Sequence, residues 1–135
     1  MVSHPWRELR QYPHINVSYV DDLPFGIHAQ TNGINHIWLR HNLLQVERRC
    51  ALQHELEHIL RGHRGHQPPA VELEVRLAVA RKLIPFDDLM DARRWACDNY
   101  LEMADALNVT PRVLCDRISY LKGEERHAFD YCTEA

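Results

Sequence analysis

His54-Glu55-Leu56-Glu57-His58 sets two imidazoles four residues apart, with a carboxylate next to the first. On an α-helix, residues i and i+4 lie one above the other, so both rings can reach one metal ion. Glu55, about 100° round the helix from His54, stands beside the metal rather than on it. From there a carboxylate can take a proton from a metal-activated water. Ten of the 135 residues are histidine, the commonest protein metal ligand.

A catalytic zinc takes three protein ligands and keeps one position open for water. The third ligand is expected from the next element, where 70–84 has a helical pattern and carries Glu72 and Glu74. These two lie about 200° apart, so only one can face the metal. Leu73, Leu77, Ala80 and Ile84 are expected to form the main core stripe of that helix. Glu72 shares its side with Arg76, Val79 and Leu83, whereas Glu74 sits with Ala78 and Arg81. Glu72 is therefore preferred, with Glu74 as the alternative. Its competing role is an i,i+4 ion pair with Arg76. His63 and His66 follow the first helix and suit substrate contact or the surface better than ligation. The metzincin pattern HExxHxxGxxH is not met, because Arg61 and Arg64 stand where its Gly and last His would be.

The first helix is expected to start after Asn42, with Gln45 at capping-box spacing, and to stop at Gly62. Leu52, Leu56, Ile59 and Leu60 form an apolar stripe opposite His54 and His58. Upstream, Pro5 to Gln11 is a short helical lead, and 15–20, 25–30 and 34–40 have strand character. Asn32-Gly33 is a hairpin signal. Downstream, three or four shorter helices are expected, at roughly 86–97, 98–107, 110–121 and 123–131, with Thr110-Pro111 as an N-cap and N1 pair. The fold class is α+β in one domain over 1–135. A small, mostly antiparallel sheet (about 1–41) packs on the metal-site helices (42–85), and a mostly helical part (86–135) follows.

Composition narrows the function. The net charge of −3 gives no support for binding polyanions. No apolar run approaches the ~18–20 residues of a membrane helix, and the N-terminus shows no secretory signal. A cytoplasmic protein is expected. Cys50, Cys97, Cys115 and Cys132 form no CxxC pair and are expected to be reduced, partly buried thiols.

Three segments together resemble the ImmA/IrrE-type metallopeptidases. The first is Arg48-Arg49-Cys50-Ala51-Leu52-Gln53-His54-Glu55-Leu56-Glu57-His58. The second runs from Glu72-Leu73-Glu74-Val75-Arg76 to Leu83-Ile84-Pro85. The third is Met103-Ala104-Asp105-Ala106-Leu107-Asn108-Val109-Thr110, with Arg117 and Ile118 beyond it. The resemblance spans about 34–121. It implies a gluzincin-like fold and an intracellular zinc endopeptidase that cleaves a helix-turn-helix transcriptional repressor, in a minimal, stand-alone form. It carries His54 and His58 over as ligands, Glu55 as base and Glu72 as third ligand. Zinc is the implied ion, although a His2Glu site also accepts manganese. The chain departs from the family at Glu57, where Gly is usual, and at Arg76, where Asn or Asp is usual. Those departures leave open a second reading, a catalytically weak or inactive module that binds a repressor or other regulatory partner.

Other features complete the sequence picture. Residues 101–121 fit a helix-turn-helix register that would turn Arg112 and Arg117 to DNA, but the acidic residues around it argue against direct nucleic-acid binding. Tyr19, His28, His36, Tyr100 and Tyr120 are candidates for stabilising an oxyanion. Ile34 to Arg40 directly precedes the metal helix, so it is a candidate edge strand for a substrate to pair with, unless it is a central strand.

Overall fold

The structure, a computed structural model, describes residues 4–132. Its order is α1 (Pro5–Leu9), β1 (Asn16–Val20), β2 (Ala29–Thr31), β3 (His36–Arg40), α2 (Gln45–Leu60), α3 (Pro69–Leu83), α4 (Phe86–Ala96), α5 (Tyr100–Leu107), α6 (Pro111–Ser119) and α7 (Gly123–Asp130). This is the expected α+β arrangement, a small sheet followed by helices.

The sheet departs from expectation in its pairing. Its order is β1-β3-β2. β2 and β3 form the antiparallel hairpin, but β1 runs parallel to β3 along five residue pairs, Asn16 opposite His36 through Val20 opposite Arg40. The segment 21–28 carries the chain across to the far edge. β3 is therefore central, and the edge-strand reading of 34–40 is corrected: both its edges are already paired. Alternation along it holds. Ile37 and Leu39 are fully buried against Leu52 and Leu56 of α2. His36 and Trp38 stack on the other face, with ring centroids 4.4 Å apart.

The hairpin loop is wider than a two-residue turn. The Asn32 carboxamide oxygen accepts from the backbone N–H groups of Ile34, Asn35 and His36 at 2.9–3.1 Å. This delays the start of β3 to His36. Gly33 has φ +76°, a left-handed conformation that L side chains rarely adopt.

α2 begins at Gln45 rather than beside Asn42, because Glu47 caps it. The Glu47 carboxylate accepts from the Leu44 N–H at 2.9 Å. α2 stands between two cores. Leu52 and Leu56 close the sheet core, while Cys50 joins the core built by α3 to α7. A helix packed on two sides has no single apolar stripe. Ile59 is half-buried and Leu60 exposed, while Arg49, Gln53 and Glu57 are buried.

Those buried polar groups are tied to other elements. Arg49 Nη1 donates to the Asn108 carbonyl at 2.6 Å, fixing the α5–α6 turn to α2. Gln53 Nε2 donates to Glu8 of α1 at 3.2 Å. Lys82 of α3 reaches Glu57 at 2.8 Å and Glu8 at 3.2 Å. Arg61 also holds Glu57, at 2.8 Å. Burial pushes the Glu57 carboxyl up, but Lys82 and Arg61 outweigh it and hold it below the usual carboxylate range.

The core face of α3 is also shifted. Val75, Val79 and Leu83 are buried on the side that carries Glu72, whereas Leu73 and Leu77 are only half-buried. α3 is clamped between α2 and α6, so its buried face points at that junction. Arg76 bonds Asp116 of α6 through both ends of its guanidinium, with Nε–Oδ2 at 3.2 Å. It is therefore not a partner of Glu72.

α5 and α6 meet at Asn108, which takes the left-handed conformation (φ +56°). Thr110 caps α6 as expected, its side chain accepting from the Val113 N–H. Arg117 is buried and donates to the Ile84 carbonyl at 2.8 Å. The register that would turn it to DNA is thus corrected. Among the described residues no helix is long and apolar enough to cross a membrane.

Candidate metal centre

Helical spacing brings the two histidines of α2 together. The His54 and His58 rings lie 4.9 Å apart, centroid to centroid. The Pro68-Pro69 break starts α3 so that Glu72, in its first turn, faces them. Glu72 Oε2 is 3.2 Å from His54 Nε2, and Glu72 Oε1 is 3.1 Å from His58 Nε2. One donor atom from each of the three residues lies within 4.8 Å of the others, a group that could hold a metal ion. Zinc bonds of about 2.0–2.1 Å in tetrahedral geometry put neighbouring donors about 3.3 Å apart. The two His–Glu separations, made to different oxygens of Glu72, are close to that spacing, and two imidazoles with one carboxylate fit such an ion in chemistry. Glu74 is exposed and is not part of the group.

Burial sets the protonation of the two imidazoles. His58 is nearly enclosed, and burial holds both rings below the usual histidine range. The second ring's charge adds to this for His54 and the nearby His63 for His58, while Glu72 pulls the other way. The neutral imidazole this favours is the form that ligates a metal.

Glu55 has no hydrogen-bond or ion-pair partner among the described residues. Burial, and then the negative charge of Glu72, push its carboxyl up to about 8. A divalent cation between the histidines and Glu72 would oppose the second of these causes. Position beside the cluster and freedom from other partners are what a proton-accepting carboxylate needs.

His63 acts differently from the sequence expectation. Gly62 takes a positive φ of +72° at the end of α2 and folds the chain back. His63 Nδ1 then lies 3.1 Å from His58 Nδ1. A His58 that ligates through Nε2 carries its proton on Nδ1, and His63 Nδ1 is placed to accept it. Such a bond fixes the tautomer and the ring orientation of a metal ligand. The loop is held from below. A Cβ on Gly33 would sit 2.0 Å from the His63 carbonyl oxygen, so only glycine allows the β2–β3 turn this close. The sequence signal was present in Gly62 and in the fifth position after His58, but the support from Gly33 is long-range.

The candidates for oxyanion stabilisation are engaged elsewhere or face solvent. His36 pairs with the Ser18 hydroxyl at 2.8 Å, and His28 lies 3.9 Å from Glu47. Arg48 stacks over Tyr19 at 5.5 Å, and Tyr100 is exposed. Tyr120 lines a separate cavity. Sequence reasoning did not connect Arg112 with this cluster; from the start of α6 its charge makes a minor contribution to holding the His54 ring neutral. Comparison with protein-family models, curated proteins and solved structures finds no match to this chain.

Proposed function

We propose that the chain is a zinc-dependent metalloendopeptidase of the ImmA/IrrE type, acting in the cytoplasm on a helix-turn-helix repressor. The observation that carries this reading is the convergence of Glu72 on His54 and His58, with the unpartnered Glu55 beside them. A bound zinc ion supplies the Lewis acidity that makes a water nucleophilic near neutral pH. His54, His58 and Glu72 would hold the ion, and their single carboxylate would leave such a centre net positive. His63 keeps His58 in the ligating tautomer. Glu55 takes the proton from the attacking water and passes it to the departing amine nitrogen. Arg112 adds positive charge on the side of His54.

The two departures that motivate a binding-only module have other work in the fold. Glu57 turns to Lys82 and Arg61, and Arg76 turns to Asp116. Neither sits among the donors, which supports the catalytic reading over the binding-only one. Glu55→Gln tests it. Glutamine cannot accept the proton, so the variant is expected to keep its metal and fold and to lose cleavage of a repressor substrate. Cleavage by the variant at the wild-type rate, or fragments that persist after chelation, would overturn the proposal.

A further inference from the structure

A second concave feature lies away from the metal cluster. It is a cavity of about 500 Å³ where the C-terminal halves of α3 and α6 meet the starts of α4 and α7. Arg81, Arg117 and Lys122 line it, with Glu125 as its one acid. The chain as a whole carries a net charge of −3, yet this wall is net positive. Arg81 lies nine residues after Glu72 on α3, about 14 Å along the helix axis, so the cavity is separate from the metal donors.

The three cations are not consumed by the fold. Among the described residues none of them makes an ion pair within 4 Å. Arg117 is only 9 % exposed. It spends one donor, Nε, on the Ile84 carbonyl at 2.8 Å, and no protein acceptor among the described residues meets the far end of its guanidinium. Burial, together with the nearby charge of Arg81, lowers the proton affinity of Arg117, and Glu125 opposes this only in part. Paired arginines suit a tetrahedral oxyanion, because each planar fork can donate two parallel hydrogen bonds. α7 adds backbone donors close by. Its N-cap, Lys122, makes no side-chain capping bond and lines the cavity together with Glu125 of the first turn. The rest of the lining is apolar or aromatic: Leu77, Phe86 and Tyr120. The volume falls within the range of small-ligand pockets, and an apolar wall with a few convergent charges is their usual make-up.

We propose that this cavity binds a small phosphate monoester, its phosphate on Arg81, Arg117 and Lys122 and an aromatic or apolar body against Phe86 and Tyr120. The probe is phenyl phosphate, titrated calorimetrically into the full chain, with phenol, inorganic phosphate and benzoate run alongside. Phenyl phosphate is expected to bind saturably and more tightly than the other three, with affinity falling as salt rises. Arg117→Met removes the bond to Ile84 and risks the fold, so the decisive variant is Arg81→Gln with Lys122→Gln. Both side chains are exposed and make no hydrogen bond or ion pair among the described residues. The double variant is expected to keep the wild-type circular dichroism spectrum and thermal midpoint and to weaken phenyl phosphate by at least about tenfold. No saturable binding up to about 10 mM, unchanged affinity in the double variant, or tighter binding of benzoate than of phenyl phosphate would each overturn the proposal.

Discussion

Gly33→Ala should weaken metal binding from outside the donor set. In the native chain the position has φ +76°, and an added Cβ would sit 2.0 Å from the His63 carbonyl oxygen and 2.8 Å from its carbon. Real Cβ atoms do not approach closer than 3.0 Å, so the His63 backbone must retreat by about 1 Å or the turn must open. The left-handed backbone adds roughly 1–2 kcal/mol for a residue with a Cβ. His63 Nδ1 starts 3.1 Å from His58 Nδ1. A retreat of about 1 Å takes that contact beyond hydrogen-bond range. Losing the outer partner of a metal-bound histidine typically costs about 10–100-fold in metal affinity. The expected result is therefore a zinc dissociation constant raised about 10–100-fold, read by competition with a chromophoric chelator, with a lowered thermal midpoint. His63→Ala removes the same contact without straining the turn. It should reproduce the loss of affinity while largely keeping the midpoint. Wild-type zinc affinity in both variants would refute the coupling between the β2–β3 turn and the metal ligand.

Other changes have separate consequences. Lys82→Met leaves Glu57 with Arg61 alone and Glu8 with Gln53 alone. The loss should be about 2 kcal/mol in urea unfolding, below the value for a fully enclosed pair because Lys82 is about a third exposed. Ile37→Pro removes an N–H from a strand that is paired on both sides and should unfold the sheet core, at about 3 kcal/mol or more by circular dichroism melts. A folded Ile37→Pro variant would contradict the central placement of β3. Asp116→Ala frees Arg76 and unties α3 from α6. It should lower the thermal midpoint while leaving zinc stoichiometry unchanged, because neither residue is a donor.

The approach of His54, His58 and Glu72 to one another was the most legible part of the sequence. Its geometry is local: four residues along one helix fix the two imidazoles, and angular position separates Glu72 from Glu74. The helix boundaries were also readable, because Gly62, Pro68-Pro69, Pro85 and Thr110-Pro111 end or start elements by their own backbone chemistry. What failed depended on distant contacts. Nothing in 15–20 says which way it will run beside 36–40. Parallel and antiparallel strands carry the same alternation, and the hairpin signal at Asn32-Gly33 constrains only β2 and β3. The core face of α3 was misplaced because that helix is clamped on two sides, so Val75 and Val79 count for more than Leu73 and Leu77. Arg117 has the spacing of an exposed recognition residue, but the packing of α6 on α3 buries it, with the Ile84 carbonyl as its acceptor. His63 was noticed as an imidazole near the site, but its role depends on Gly33, thirty positions earlier in the chain.

Metal content by mass spectrometry, measured on zinc-dialysed wild type and on His54→Ala, Glu72→Ala and Glu74→Ala, tests the centre most directly. The expected outcome is one zinc per chain in the wild type and in Glu74→Ala, with sub-stoichiometric zinc in His54→Ala and Glu72→Ala. Stoichiometric zinc surviving in His54→Ala, or its loss in Glu74→Ala with retention in Glu72→Ala, would contradict the assignment of His54, His58 and Glu72 as the metal site.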